Sequence, residues 1–141
     1  MVEARDIVLL ISVFGAHENN RIEGRTRIQK EICLLKHSSR LPFSFDFKPY
    51  YYGPYSEELS ETINTLVGLK LLKETITPVS FDSFRYNYTL TEQGRQLFQR
   101  IQRDFGELVD SVSEEARKLE EVKTSDLVFL AKKISGIESL S

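Results

Sequence analysis

Few residues of this 141-residue chain are suited to covalent chemistry: one cysteine, Cys33, and two histidines, His17 and His37. A nucleophile needs a base within hydrogen-bond reach, and a structural zinc site needs clustered thiolates and imidazoles. Neither pattern is present in the spacing. His17 falls in a polar loop, His37 in the last turn of a predicted helix where positive charge is favoured, and Cys33 reads as a small, half-buried helical residue. A lone cysteine also excludes an intramolecular disulfide. There is no glycine-rich phosphate loop, no GxSxG element and no carboxylate pair at a recognisable spacing. The expectation is a protein with no catalytic residue, no cofactor and no metal.

The chemistry that remains is charge and hydrogen bonding. The formal net charge is −2, which argues against a surface devoted wholly to nucleic acid. That sum conceals a division. Between Arg21 and Lys48 there are seven Lys and Arg against three acids, whereas residues 104–141 hold five against nine. Arg25, Arg27 and Lys30, at the start of a helix within the basic stretch, are the candidates for contact with DNA phosphates; a solvated helix face is the plainer reading of the same charges. Ser56, Ser60 and Asn64 recur every four residues on a later helix and would turn toward a groove. Lys73 and Arg85 would reach backbone from a hairpin, or form its wet side. Against DNA stand Glu57, Glu58 and Glu61 on the same helix as Ser60. Two of them have a structural explanation, since carboxylates stabilise a helix N-terminus.

These side chains need positions, and the periodicity supplies them. Ile7, Leu10, Ile11 and Phe14 have helical spacing, and Val8, Leu9 and Val13 widen the stripe until the helix must be buried on most sides. "GAHENNRIEG", Gly15 to Gly24, reads as a polar loop. Thr26 is a candidate N-cap for a helix to His37, with Ile28, Ile32 and Leu35 inward. Phe43, Phe45 and Phe47 alternate with polar residues as in a short strand. "YYYGPY" follows as a tight elbow, because Pro49 and Pro54 lack backbone donors. Ser56 then caps a helix with Leu59, Ile63, Leu66 and Val67 inward, and Gly68 is its expected stop. Residues 72–90 alternate as a β-hairpin around "PVSFDS". Thr91 caps a long helix whose stripe runs through Leu97, Ile101, Phe105, Leu108 and Val112. A last short helix, capped by Thr124 or Ser125, ends at Gly136.

Helices leading directly into a hairpin predict an α+β fold, mainly α with a small β-hairpin: a winged helix-turn-helix with a C-terminal helical extension. The expected units are residues 1–103 for the winged domain and 104–141 for the extension. The apolar first helix and the terminal helices are expected to pair two copies, a homodimer suited to symmetric half-sites on double-stranded DNA. The longest apolar run, Ile7 to Ile11, is too short to span a bilayer and no signal-like segment is evident, so a cytoplasmic protein is expected.

"GRTRIQKEICLL" (24–35), "FKPYYYGPYSEELSETINTLVGLKLLKE" (47–74) and "YTLTEQGRQLF" (88–98) together resemble the YwgA-like family of small prokaryotic winged-helix proteins. More distantly, the glutamine-lysine pair followed by "YGP" is similar to the antitoxin domain of the SocA or Panacea type. The resemblance implies a winged-helix fold with a regulatory or antitoxin-like role. Two functions follow as expectations. One is a non-enzymatic transcriptional regulator that binds duplex DNA. The other is a winged-helix protein-interaction module, antitoxin-like or an adaptor subunit, which does not bind DNA and uses exposed aromatics. Tyr51, the middle of three consecutive tyrosines that cannot all point inward, and Phe81 at the hairpin tip are its candidate partner contacts.

Overall fold

The computed structural model describes residues 3–137; the first two positions and the last four of the expected extension lie outside them. The first helix, α1 (Ala4–Ala16), is buried along nearly its whole length, with Leu9, Leu10, Ile11, Val13 and Phe14 inaccessible to solvent. Its cover comes from its own chain. Helices α4 (Glu92–Asp104) and α5 (Gly106–Glu120) pack on it together with strand β5 (Ser83–Leu90).

The polar loop expected after α1 contains structure. A 3-10 turn at Glu18–Asn20 leads into β1 (Arg21–Glu23), which pairs antiparallel with β5, Ile22 opposite Tyr88. Strand β4 (Leu72–Ser80) pairs with the other edge of β5, so the sheet order is β1-β5-β4. The hairpin is thus as expected, with a shorter turn: Ser80 is already opposite Ser83. Leu72, Tyr88 and Leu90 enter the core from its apolar face.

Helix α2 (Arg25–His37) starts one residue before the expected cap, from Gly24, whose φ of 101° is accessible chiefly to glycine. One side of α2 faces the core and another is covered by α6 (Thr124–Ser135), which also packs on β3 (Gly53–Tyr55). The whole run Ile28 to Leu35 is consequently buried, including Gln29, Lys30 and Glu31.

Phe43, Phe45 and Phe47 are buried and alternate with more exposed neighbours, yet this stretch joins no sheet. Its backbone is satisfied by side chains instead. The Asp6 carboxylate accepts from the Ser44 amide at 2.9 Å and from the Ser44 hydroxyl, Lys36 Nζ donates to the Phe45 carbonyl, and Glu58 Oε1 accepts from the Asp46 amide at 3.0 Å. The strands come just after it: β2 (Lys48–Tyr50) pairs with β3 across the tyrosine turn, Pro49 opposite Pro54.

Ser56 caps α3 (Glu57–Gly68) as expected, accepting from the Leu59 amide at 3.1 Å. Gly68 is inside the helix, and the left-handed residue after it is Lys70, with φ 62°. Thr91 caps α4, accepting from the Gly94 amide at 3.0 Å. The single long helix expected from Thr91 is broken at Phe105, where φ is −134° and ψ 45°. A straight helix over residues 92–120 would be about 43 Å long, too long for α1 to cover. Broken before Gly106, its two halves both lie on α1, and Phe105 is left half exposed at the corner. The whole is an α+β chain with six helices and two small antiparallel sheets among the described residues.

Candidate functional site

The elbow "YYYGPYS" is held from beneath by α2. Gln29 Nε2 donates to the Ser56 carbonyl at 2.9 Å, and the Ser56 amide donates back to Gln29 Oε1 at 2.8 Å. The backbone of the one residue ahead of α3 is thereby paired as a neighbouring strand would pair it, by a side-chain amide. Lys30 Nζ donates to the Pro54 carbonyl at 2.7 Å. Burial pushes this ammonium down to about 8, and Lys132 on α6 adds to that effect. The Lys132 stem closes over Gly53, whose missing Cβ would stand 2.9 Å from Lys132 Cγ. Gln29, Lys30 and Lys132 together fix the direction in which α3 leaves the elbow.

Arg27 is turned inward. Its Nε donates to Glu31 Oε2 at 2.7 Å, and its two terminal nitrogens donate to the carbonyls of Leu119 and Glu120 at the end of α5 and of Val122 in the turn that follows. The free carbonyls of a helix C-terminus require such donors. On the other side of Glu31, His17 Nε2 stands 2.9 Å from Oε1, an ion-pair contact rather than an aligned hydrogen bond.

The outer surface collects a different set. Arg25, exposed on the first turn of α2, has its guanidinium 3.7 Å above the Tyr86 ring, donates from Nε to Tyr88 Oη at 3.1 Å, and lies 3.7 Å from Glu74 Oε2. Tyr88 donates to that same Glu74 oxygen at 2.7 Å, and burial pushes its phenol up to about 12. Glu74, the one charged residue on the hairpin's apolar face, is explained by this contact. Arg25, Ser60 and Asn64 line one narrow groove between α2, α3 and β5. Lys73 is exposed on β4, and Arg85 on β5 is half exposed and paired with Glu23 at 3.3 Å. Of the predicted groove residues on α3, Ser56 is fully buried as the cap.

The solvent side of α3 carries Glu57, Glu58, Glu61, Asn64 and Thr65, and the helix contains no Lys or Arg. Beside its N-terminus, Tyr50 stacks on Tyr55 at 4.4 Å, while Tyr51 and Tyr52 are exposed at the turn. The outer half of the hairpin is apolar and uncovered: Ile76, Val79 and Phe84 are more than half exposed, and Phe81 at its tip is fully so. Tyr51 and Phe81 are thus both exposed at turns, but Tyr51 is not set apart from its neighbours, because Tyr52 is exposed beside it.

Cys33 is buried, and burial pushes its thiol up to about 11, so it is no thiolate at neutral pH. Among the described residues no three His, Cys, Asp or Glu side chains converge as metal ligands, and no helix is long and apolar enough to cross a membrane. Sequence reasoning missed the support roles of Gln29, Glu31 and Asp6. The available signal was polar residues at buried positions of an otherwise apolar helix face, each of which must find a partner.

No family model matches the chain. It is 32% identical over 123 residues to the uncharacterized protein YwgA of Bacillus subtilis (strain 168), an alignment that spans 85% of this chain and 72% of that protein. An alignment of that length rests on more than one motif, and the chain belongs to the YwgA family.

Proposed function

We propose that the chain is a winged-helix protein-interaction module, non-enzymatic, which presents α3, the tyrosine turn and the hairpin tip to a protein partner in the manner of an antitoxin-like or adaptor subunit. The winged-helix reading draws on the order α1-β1-α2-α3-β4-β5, with the small β2-β3 pair inserted before α3 and α3 directly before a hairpin whose inner strand pairs with a short strand from between the first two helices. The observation that carries the functional reading is the sign of the charge on α3. Its exposed side holds Glu57, Glu58 and Glu61 and no cation, while Arg27 and Lys30 are spent on internal carbonyls. A carboxylate brought to about 4 Å from a phosphate is opposed by about 1 kcal/mol even in water. An apolar, fully exposed Phe81 flanked by Val79 and Phe84 fits a protein surface better than a phosphate backbone.

One observation favours duplex DNA as a second reading: Arg25, Ser60 and Asn64 share a groove in the place where a winged helix meets the duplex. A mobility-shift series on mixed-sequence duplex from 20 to 200 mM salt separates the two. The interaction module gives no shift at low salt. A shift that weakens steeply with salt and is lost in Arg25→Ala would instead establish the DNA reading.

A further inference from the structure

Two of the hydrogen-bonding positions around His17, at the end of α1, face acceptors and nothing else. Nδ1 is 2.9 Å from the Val13 carbonyl and Nε2 is 2.9 Å from Glu31 Oε1. A neutral imidazole carries a single N–H. The hydrogen bond to the Val13 carbonyl takes that N–H at Nδ1, which leaves an unprotonated Nε2 beside the Glu31 carboxylate, close to it without an aligned hydrogen bond. A second proton, on Nε2, makes the ring a cation that this carboxylate attracts across 2.9 Å.

Glu31 is fully buried and joins this cation to Arg27, which in turn holds the α5 carbonyls of Leu119 and Glu120 and the Val122 carbonyl of the turn into α6. The chain from His17 to the α5–α6 corner is thus continuous: imidazole, carboxylate, guanidinium, helix end. The corner is tied a second time, because Glu120 Oε2 accepts from the Glu18 amide at 2.6 Å, one residue beyond His17. A cleft of about 380 Å³ opens the cluster to solvent, so a proton can reach it. The remaining charged groups facing that cleft are Glu18, Arg21, Glu23 and Arg85, and among them Arg21 and Arg85 are both paired with Glu23.

We propose that His17 is the proton-operated latch of the C-terminal helices: while it is an imidazolium, Glu31 and Arg27 clamp the α5–α6 corner against α2, and loss of the proton loosens that corner. The consequence reaches the elbow, because α6 lies on β3 and its Lys132 covers Gly53. A loosened corner would uncover the turn that aims α3. The direction of the imidazole's titration agrees with the geometry. Burial lowers its pKa, but Glu31, the Val13 carbonyl and Glu120 outweigh that and hold it above 6.5. The latch is accordingly closed below pH 6.5 and opens as pH rises through the folded-state value. The inference goes beyond the proposed function and does not rest on it.

The test is an NMR titration of the full chain with ¹⁵N-labelled histidine, joined to amide exchange at the corner. With only two histidines, His37→Asn assigns the signals. The expected result is a His17 midpoint above 6.5, with both nitrogens protonated below it. Exchange of the Leu119 to Thr124 amides, corrected for the intrinsic rate, should then accelerate across that midpoint, by about tenfold for each unit the midpoint stands above 6.5. His17→Gln should remove this pH dependence; should that variant not fold, the wild-type titration decides alone. A midpoint at or below 6.5, or corrected exchange that stays level through the titration, overturns the latch.

Discussion

Gln29 and Ser56 bind each other twice, side-chain amide to backbone amide, at 2.8 and 2.9 Å in a site closed to water. Through this pair the second helix sets the start of the third. Gln29→Leu keeps the side chain's size and leaves the buried Ser56 N–H without a partner, while the Ser56 C=O keeps only the Ser60 amide, at 3.2 Å. Leaving a buried polar group unsatisfied costs about 1–3 kcal/mol, so the variant should lose about 1–3 kcal/mol in urea unfolding, with the slope unchanged. A loss within 0.5 kcal/mol would mean that water or a shifted elbow replaces the pair.

Lys30 predicts an alkaline rise in stability. Its folded value of about 8 lies below the ordinary 10.5, so between those limits the folded state has released a proton that the unfolded chain still holds. Stability rises with pH wherever the unfolded state binds more protons. The gain should approach about 3 kcal/mol from pH 8 to 10.5, and Lys30→Met should flatten that limb. Chemical denaturation at half-unit pH steps measures both, and an identical limb in the variant would assign the rise to another group.

Two glycines separate what spacing suggests from what the backbone does. Gly68 has a helical backbone and an added Cβ would meet nothing within 4 Å, so Gly68→Ala should stabilise by about 0.5–1 kcal/mol. A left-handed helix stop at that position, as its sequence suggests, would give a loss instead. Gly94 is also helical, but its Cβ would stand 2.2 Å from the Leu71 carbonyl oxygen. Gly94→Ala should therefore cost about 1–3 kcal/mol despite better helix propensity. Thermal unfolding of the pair reads both signs.

The hairpin and the Ser56 and Thr91 caps are legible in the sequence because alternation and capping are local signals. Strand β1 is not, since three residues are too few to show a period and its partner is more than sixty positions away. The Phe43–Phe47 stretch shows why alternation reports an extended backbone without reporting a ladder. Its hydrogen bonds go to Asp6, Lys36 and Glu58, none of which periodicity connects to it. The break at Phe105 is hidden by an apolar stripe that runs unbroken through it. At the site, Arg25, Ser60 and Asn64 were placed together by fold alone. The inward turn of Arg27 and Lys30 was not legible, because it depends on α5 and α6 folding back over a second side of α2.

That folding back also relocates the expected self-association. With α1 covered by its own chain, the larger apolar surface among the described residues of the extension is the outer side of α6, where Phe129, Leu130 and Ile134 are exposed. A homodimer through that face is the proposal, and Phe129→Glu combined with Leu130→Glu should yield a monomer without lowering the unfolding midpoint of the isolated fold. Light scattering across concentration decides: a wild-type chain monomeric at about 100 µM would remove the dimer.

What meets the outer side of α3 decides between a protein partner and duplex DNA. Recovery of the tagged chain from its host, with nuclease treatment, measures this most directly when wild type is compared with Glu57→Lys plus Glu61→Lys and with Phe81→Ser. The interaction module predicts one protein at a fixed ratio to wild type, unaffected by nuclease and lost from both variants, while each variant keeps the wild-type unfolding midpoint. Recovery of duplex DNA in place of that protein, strengthened by the added lysines and abolished in Arg25→Ala, would contradict it.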